Sequence, residues 1–408
     1  MNNTYSSRRT GARQHSAHFG GRPGRRRPQG NKPKHGQYIH PSKFVNRAIT
    51  PQEETPYAAT HTFADFPLNH RLHANIDAKG YTAPSAIQDQ AIPHILAGKD
   101  VIGLANTGTG KTAAFIIPVI EKMQYADRTP GTLIITPTRE LATQIDDEFR
   151  AFARDMRLYS TVVVGGMNID RQIRDLKRRP HLIIGTPGRL KDLLNRRALD
   201  LRAVNTLVLD EADRMLDMGF INDIRTILAE LPTERQSLCF SATITPAIAE
   251  LINTMLHEPV TVSVRTGETS DHVEQDVIET TSKEHKLEVL TNMLSDEAFE
   301  KVLVFGETKF GVQRLADALN KHGHSAEAIH GNKSQPQRQR ALNKFRDNTV
   351  RVLVATDVAA RGLDIPNVSH VINFDQPHTY DDYVHRIGRT GRGGAKGAAY
   401  TFVEPQSR

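Results

Sequence analysis

The sequence predicts an α/β fold made of two tandem parallel-sheet domains that follow a disordered basic tail. Short apolar runs rich in β-branched residues alternate with stretches of helical length, which is the pattern of parallel strands joined by crossover helices. A polar stretch near residue 265 separates two such series. Residues 1–60, in contrast, are rich in Gly, Arg, Pro, Ser, Asn and His and show no apolar periodicity.

Basic residues dominate the tail. Residues 1–50 contain no acidic residue and eleven cations: Arg8, Arg9, Arg13, Arg22, Arg25, Arg26, Arg27, Lys32, Lys34, Lys43 and Arg47. Because the whole chain has a net charge of +7, subtracting this +11 leaves −4 for the rest. We expect residues 1–60 to be disordered and their arginines to contact nucleic-acid phosphates. A solubilising tail remains an alternative, and an anionic membrane surface is a weaker one because no amphipathic helix or lipidation signal accompanies the charge.

Composition excludes several other classes of protein. The 408 residues suffice for two or three domains. The single cysteine, Cys239, excludes an intramolecular disulfide and a cysteine-based metal cluster. No apolar stretch approaches the roughly 18 residues of a membrane span, and the amino terminus lacks the apolar core of a secretory signal. These features predict a cytoplasmic protein.

Two series of apolar runs define the predicted domains. The first series lies at residues 101–104, 133–135, 162–164, 182–184, 207–209 and 238–240. The second lies at residues 275–278, 302–305, 326–329, 352–354, 370–373 and 398–402. We therefore predict domains at residues 61–264 and 276–408 with a linker at 265–275. Chemistry is expected at the carboxyl ends of the strands.

A glycine-rich turn follows the first predicted strand and precedes a helical run. Backbone N–H groups of such a turn, together with a helix amino terminus, can surround a triphosphate. Lys111 would reach the β- and γ-phosphates, and the Thr112 hydroxyl would hold Mg²⁺. Ala105 stands where the strict pattern has glycine, which is a mild departure. The predicted phosphate-binding residues are Ala105, Asn106, Thr107, Gly108, Thr109, Gly110, Lys111 and Thr112.

Two acidic residues, Asp210 and Glu211, follow the predicted strand at 207–209. Downstream of a phosphate loop, such residues suit Mg²⁺ chemistry. Asp210 would hold the metal through water, and Glu211 would be the general base that polarises the attacking water. An acidic strand end alone is more often a helix N-cap. Because Lys111 and Thr112 accompany them in the sequence, we favour the metal-binding interpretation of Asp210 and Glu211.

Two later segments carry further candidates. Ser241 and Thr243 follow the run at 238–240, where hydroxyls either cap the next helix or relay the state of the nucleotide. Residues 385–392 place arginines and a histidine among glycines. A solvated basic loop is one interpretation. In the other, Arg389 and Arg392 are arginine fingers that stabilise γ-phosphate charge when the domains close.

In order, these segments resemble the motifs of the DEAD-box RNA helicases of helicase superfamily 2, and the resemblance covers residues 63–408. Phe63 and residues 80–88 are similar to the Q motif, and residues 105–112 to motif I. The remaining matches are residues 137–142, 165–166, 186–189, 210–213 (the DEAD box itself), 241–243, 304–308, 330–338, 355–364 and 385–392. No catalytic position departs from the family pattern.

The resemblance implies how ATP and Mg²⁺ are bound and used. Gln88 would read the adenine edge, Phe63 and Tyr81 would pack near the base, and Asp364 would contact the ribose. Ordinary core packing remains an alternative for Phe63 and Tyr81. The implied catalytic residues are Lys111, Asp210, Glu211, Arg389 and Arg392. The implied coupling residues are Asp213, Ser241, Thr243 and His385.

The same resemblance implies an ATP-dependent RNA helicase that binds RNA across two RecA-like domains. It would unwind short duplexes or remodel RNA–protein complexes, and a monomer is expected. An ATP-gated RNA clamp with little strand separation is the alternative, and a DNA translocase is disfavoured. Contacts to phosphates and 2′-hydroxyls would make binding largely sequence-independent. The implied RNA contacts are Arg139, Gly166, Thr186, Arg189, Gly331, Arg338 and Thr356.

Overall fold

The computed structural model describes residues 39–45, 57–106, 108–124, 131–264, 273–360, 365, 367–391 and 397–404. All of them fall in one of the two units into which the chain divides, Tyr38–Arg408. Three predicted site residues, Thr107, Asp364 and Arg392, lie outside the described residues, and so does most of the predicted tail.

The first domain is built on a seven-stranded sheet in the order β3-β4-β2-β5-β6-β1-β7. Every pair of neighbouring strands is parallel, as the sequence predicts. The strands are β1 Val101–Ala105, β2 Thr132–Ile135, β3 Ser160–Val163, β4 Leu182–Gly185, β5 Thr206–Leu209, β6 Gln236–Ser241 and β7 Val260–Val264. The sequence analysis missed β7, an edge strand that is only partly buried.

Helices cover both faces of this sheet and form one apolar core on each face. They are α1 His70–Ala78, α2 Ala86–Leu96, α3 Lys111–Met123, α4 Arg139–Phe152, α5 Ile169–Leu176, α6 Pro187–Asn195, α7 Ala212–Asp217, α8 Ile221–Leu228 and α9 Pro246–Met255. Strands β2, β4, β5 and β6 are buried along their whole length, which explains why each contains an unbroken run of three apolar residues.

The second domain has a six-stranded parallel sheet in the order β10-β11-β9-β12-β13-β8. Its strands are β8 Val273–Glu279, β9 Val302–Phe305, β10 Ala326–Ile329, β11 Val352–Ala355, β12 His370–Asn373 and β13 Gly397–Val403. Its helices are α10 Lys283–Leu294, α11 Lys309–Lys321, α12 Gln335–Arg346, α13 Asp357–Ala360 and α14 Tyr380–Ile387. Strand β8 begins inside the predicted linker, because Val273 is already buried in the core of the second sheet.

Residues 39–45 contradict the prediction of disorder throughout residues 1–60. Residues Pro41–Phe44 form a 3₁₀ turn, and the Phe44 ring is fully buried in the core of the second domain. Local composition missed this segment because its apolar partners lie more than 200 residues away in sequence. None of the helices in the described part of the chain has the length and the hydropathy that a membrane-spanning helix needs.

The strand order brings the predicted site residues together at the carboxyl ends of neighbouring strands. Strands β5, β6 and β1 are neighbours, and the phosphate loop, Asp210 and Ser241 lie at their carboxyl ends. The register pairs Leu104 with Ser241, so the loop begins one residue beyond that pair. Residues far apart in sequence therefore share one edge, as expected for an open parallel sheet.

Candidate functional site

The phosphate loop turns through two glycines in the left-handed region. Gly108 and Gly110 both have φ of 92°, and Gly110 is the N-cap of α3. A Cβ atom on Gly110 would collide with Gln88 Nε2, so a larger residue there would clash with that amide and also strain the backbone. The loop therefore presents its backbone N–H groups at the positive end of α3.

Side chains inside the loop hold its shape. Lys111 is 7% exposed, and its Nζ donates a hydrogen bond to the Ala105 carbonyl at 2.9 Å. Thr109 Oγ1 donates to the Asn106 carbonyl at 2.8 Å. The Lys111 amine thus lies in the concavity of the loop, where a phosphate oxygen could replace its carbonyl partner.

Gln88 connects helix α2 to this loop. Its Nε2 donates to the Gly110 carbonyl at 3.1 Å, and its Oε1 accepts from the Ser85 N–H at 3.0 Å. Ser85 Oγ in turn donates to the Thr109 carbonyl at 2.8 Å. The Gln88 amide, which we predict to read adenine, is buried against the loop. Its contact with a base stays a prediction.

The acidic pair lies opposite Lys111 and is buried. Burial and the neighbouring Glu211 charge raise the pKa of Asp210 above its ordinary range, although Lys111 opposes them. Burial also acts to raise the pKa of Glu211, but the charges of Arg214, Lys111 and Arg389 more than offset it, so that pKa lies below its usual value. Glu211 forms a buried ion pair with Arg214 and adopts a left-handed φ of 55°.

A cavity of about 500 Å³ opens between the loop and the acidic pair. It is lined by Tyr81, Gly108, Gly110, Lys111, Thr112, Ala113, Leu141, Gln144, Asp147, Glu148, Asp210, Glu211 and Arg346. Arg346, at the end of α12, brings a cation from the second domain that the sequence analysis missed. No local motif marks it, because only the packing of the domains places it there.

The two aromatic candidates occupy different environments. Tyr81 lines the cavity and also packs edge-on against Phe152, with ring centroids 5.6 Å apart. Phe63 is buried, packs against Tyr81 and Phe66 at 5.9 and 6.0 Å, and does not line the cavity. Core packing therefore accounts for the position of Phe63, and its place near a base stays a prediction.

Asp213 links the acidic pair to the end of β6. Its Oδ2 accepts hydrogen bonds from the backbone N–H groups of Ala242 and Thr243 at 3.0 and 3.2 Å. Its own N–H donates to Ser241 Oγ at 3.3 Å, and Ser241 Oγ donates to the Thr243 carbonyl at 2.8 Å. The two segments therefore share a hydrogen-bond network, which is what a coupling role requires.

Helix α14 leads into Arg389, the candidate arginine finger that the structure describes. Arg386 is buried and binds Asp357 through Nε and Nη2 at 2.6 and 2.8 Å, so it anchors the helix. Arg389 follows the helix, is buried, and donates from Nε to the His385 carbonyl at 3.3 Å. After Arg214 and Lys111, the positive charge of Arg389 also lowers the pKa of Glu211, although Arg389 does not line the nucleotide cavity.

A second cavity, of about 390 Å³, contains most of the predicted RNA contacts. Its lining includes five of the seven predicted residues, namely Arg139, Thr186, Arg189, Gly331 and Arg338. Burial and the nearby Arg139 charge lower the pKa of Arg189, whereas Asp192 opposes them. Two arginines that repel each other in one groove make a site suited to a polyanion.

The remaining two predicted RNA contacts lie elsewhere. Gly166 has φ of 75° and lines a neighbouring groove of about 950 Å³, with the Arg139 guanidinium against its backbone. Thr356 is buried, and its carbonyl accepts from the N–H groups of Ala359 and Ala360 at 2.9 Å. Thr356 therefore stabilises the first turn of α13. An RNA contact by Thr356 stays a prediction.

The two domains meet beside this second cavity through a buried charged contact. Glu140 Oε1, on the first domain, lies 2.9 Å from Arg338 Nε and accepts from Gln335 Nε2 at 3.1 Å, both on the second domain. Glu140 and Arg338 are both buried, so this contact depends on both domains being in place.

Comparisons with known proteins agree with this geometry. Residues 85–251 match the DEAD/DEAH box helicase family, and residues 285–394 match the helicase conserved C-terminal domain. Among solved structures, the chain is similar to Saccharomyces cerevisiae Dbp5 bound to RNA and ADP BeF3. The TM-score is 0.74 and the identity 30%, over 85% of this chain and 90% of that one. It is also similar to Mss116p bound to ssRNA and AMP-PNP, with TM-score 0.74 and 29% identity over 83% and 73% of the two chains.

Curated relatives point to the same family. The chain is 48% identical to the DEAD-box ATP-dependent RNA helicase CshA of Bacillus licheniformis over 350 residues, which cover 86% of this chain and 72% of that one. It is 47% identical to CshA of Geobacillus kaustophilus, over 85% and 74% of the two chains. With both family matches, the parallel-sheet fold and the site geometry, the chain belongs to the DEAD-box family of ATP-dependent RNA helicases.

Proposed function

We propose that this chain unwinds short RNA duplexes or remodels RNA–protein complexes by closing its two domains on ATP and RNA together. The observation that carries the proposal is that each candidate cavity takes residues from both domains. Arg346 contributes to the nucleotide cavity, and Gly331 and Arg338 contribute to the RNA cavity. Binding at either site therefore favours the same closed arrangement, which is the requirement for coupling.

The acidic site fits Mg²⁺. Asp210 Oδ1 is buried and accepts no hydrogen bond from the residues that the structure describes, so it offers an unused oxygen ligand. Mg²⁺ prefers carboxylate and hydroxyl oxygens and keeps several waters. Asp210 and Thr112 would hold it, and the ion would neutralise charge on the ATP phosphates.

Protein groups account for the hydrolytic step. The low pKa of Glu211 keeps its carboxylate ionised, so it can accept a proton from the attacking water. That water forms the new bond to the γ-phosphorus as the bond to the β-phosphate oxygen breaks, which yields ADP and phosphate. Lys111 and Arg389 stabilise the charge on the transferring group.

Closure gives strand separation a physical basis. RNA in the 390 Å³ cavity would contact arginines of both domains, and closing these contacts bends the bound strand. A duplex tolerates such a bend poorly, so a short duplex separates locally. Hydrolysis then removes the γ-phosphate contacts that favour closure and releases the strand. Because the curated relatives are bacterial RNA helicases, we place this activity in the cytoplasm.

Unwinding of a short duplex tests the proposal against the clamp alternative. A fluorescently labelled duplex of about ten base pairs, with a single-stranded overhang and excess unlabelled trap strand, is incubated with protein and ATP. Strand release that requires ATP supports a helicase. ATP-dependent binding to the overhang without release of the labelled strand would support the clamp and overturn the unwinding proposal.

Removing the hydroxyls at the end of β6 is expected to uncouple hydrolysis from unwinding. In Ser241→Ala with Thr243→Ala, Asp213 loses its hydrogen bonds with Ser241 Oγ and Thr243 Oγ1. It keeps those from the backbone N–H groups of residues 242 and 243. We expect unwinding to fall about tenfold, while RNA-stimulated ATP turnover stays within about threefold. Thr254→Ala, a threonine on α9 away from the network, serves as the control. An equal loss of both activities would contradict the coupling role.

Deleting residues 1–38 tests the basic arm. The deletion removes nine of the eleven cations of the tail and leaves residues 39–45 intact. RNA affinity should fall and its salt dependence should flatten, because each phosphate contact contributes roughly 0.7 to the slope of log affinity against log salt concentration for single strands. ATP turnover at saturating RNA should not change. An unchanged salt slope would show that the arm does not contact phosphates.

A further inference from the structure

A short segment ahead of both family matches packs into the second domain. Residues 39–45, here the anchor segment, contain the 3₁₀ turn Pro41–Phe44, which the His40 side chain caps by accepting from the Ser42 N–H at 3.3 Å. The Phe44 ring is 0% exposed, and Ile39 packs against the same core. The segment is separated from the second domain by the whole of the first domain in sequence.

The anchor segment contacts the first half of α14. The Phe44 ring lies 4.7 Å from the ring of Tyr383, centroid to centroid. Tyr383 is itself buried, and its hydroxyl donates to Gln275 Oε1 on β8 at 2.8 Å. Lys43 Nζ lies 5.8 Å from the ring of Tyr380 at the start of the helix. Phe44 therefore packs over the turn of α14 that contains Tyr383.

The second half of α14 leads into the candidate arginine finger. Arg386 fixes this half through Asp357 and through Asn373 Oδ1, to which its Nη1 donates at 3.2 Å. Arg389 lies one residue beyond the helix C-cap, Gly388. The orientation of α14, and with it the position of Arg389, therefore depends on two contacts. Arg386 provides one, and the tilted contact between the rings of Phe44 and Tyr383 is the other.

Residues 57–61, further along the chain, are fixed to the first domain. Asp89, next to Gln88 on α2, accepts from the Tyr57 hydroxyl at 2.7 Å and from the N–H groups of Thr60 and His61 at 2.8 and 3.1 Å. Burial acts to raise the pKa of Asp89, but these hydrogen bonds lower it below its ordinary value. The amino-terminal region is therefore attached to both domains, on the second through Phe44 and on the first through Asp89.

We infer that the anchor segment positions the arginine finger. Phe44, docked on Tyr383, holds α14 in the orientation that brings Arg389 to the cleft, so ATP turnover depends on residues outside both helicase domains. The inference rests on the proposed role of Arg389. Phe44 is a positioning residue, since it lines neither the nucleotide cavity nor the RNA cavity. Loss of its ring would leave a gap beside Tyr383, and a misplacement of about 1 Å is enough to slow catalysis strongly.

A double-mutant cycle in the full chain tests this inference. We expect Phe44→Ala to lower RNA-stimulated kcat about tenfold and to change KM for ATP by no more than about twofold. Here kcat is calculated from the concentration of protein molecules that bind nucleotide. In the Arg389→Gln background the same Phe44→Ala change should have no further effect, because the group that it positions is absent. A merely structural role for Phe44 would lower kcat by the same factor in both backgrounds and would overturn the inference.

Two matched variants separate positioning from loss of stability. Phe402→Leu alters a buried ring in the core on the opposite face of the same sheet, and its kcat should stay within about twofold of the parent. Phe44→Trp should restore most of the turnover lost in Phe44→Ala. Since the chain has no tryptophan, its fluorescence reports the site directly, and blue-shifted emission is expected from a buried indole. Red-shifted emission with full turnover would refute the positioning role.

Failure of this inference is distinguishable from failure of the proposed function. If Arg389→Gln by itself leaves turnover unchanged, the finger assignment is wrong and the inference falls with it. If Arg389→Gln lowers turnover but Phe44→Ala does not, the finger stands and the anchor segment does not position it.

Discussion

Replacing Glu211 by glutamine is expected to lower ATP turnover about a thousandfold while ATP and RNA remain bound together. Glutamine keeps the shape of the side chain but cannot accept the proton of the attacking water. The charges of Arg214, Lys111 and Arg389 hold the pKa of Glu211 below its usual range, so the parent residue is an ionised base near neutral pH. The closed complex should therefore accumulate and dissociate slowly from RNA.

Glu148→Gln is the matched control, because it makes the same chemical change in the same cavity. Glu148 pairs with Lys79 at 2.7 Å and is more than a third exposed, so turnover should change less than twofold. Glu211→Gln also removes the charge partner of the buried Arg214, so a lower melting temperature is expected, and assays belong well below it. Parent-like turnover in Glu211→Gln would rule out the general-base assignment.

Arg389→Gln is expected to lower RNA-stimulated turnover by about a thousandfold, with ATP binding retained. Arg389 belongs to the second domain, and after Arg214 and Lys111 its charge also lowers the pKa of Glu211 in the first. We therefore expect it to act on the nucleotide only when the domains are together. Nucleotide binding depends mainly on the phosphate loop of the first domain and should be nearly unaffected. Single-turnover hydrolysis with saturating RNA measures the effect on the chemical step.

Arg340→Gln provides the control for this substitution. Arg340 is an exposed arginine on α12 of the same domain, and its replacement should leave hydrolysis unchanged. Arg389→Lys should recover only part of the rate, because lysine keeps the charge but lacks the planar fork of the guanidinium. Equal hydrolysis by Arg389→Gln and the parent would assign the stabilising cation to another residue. The candidates are Arg392, the other predicted finger, and Arg346, which lines the nucleotide cavity.

Most of the fold follows from periodicity. Buried parallel strands read as short apolar runs, and all twelve predicted runs coincide with strands of the two sheets. Strand β7 was missed because its alternating sequence marks an edge strand instead of a buried one. Phe44 was missed for a different reason. Its environment is the core of a domain that follows it by more than 200 residues, and no window of local sequence contains that information.

The residues of the candidate site also divide into those that local sequence predicts and those that it does not. Lys111, Asp210 and Glu211 were predictable because a phosphate loop and an acidic strand end must meet at one edge of a parallel sheet. Arg346 and the contact between Glu140 and Arg338 were not, because they arise where two domains pack and carry no sequence signal of their own.

Steady-state ATP hydrolysis with and without single-stranded RNA, at one fixed salt concentration, tests the central claim most directly. If ATP and RNA share one closed arrangement, RNA should raise kcat by at least about tenfold, since we expect Arg389 to reach the nucleotide only in that arrangement. High turnover that is the same with and without RNA would contradict the account. It would mean that the cleft is assembled without RNA and that the arginine finger is not gated by it.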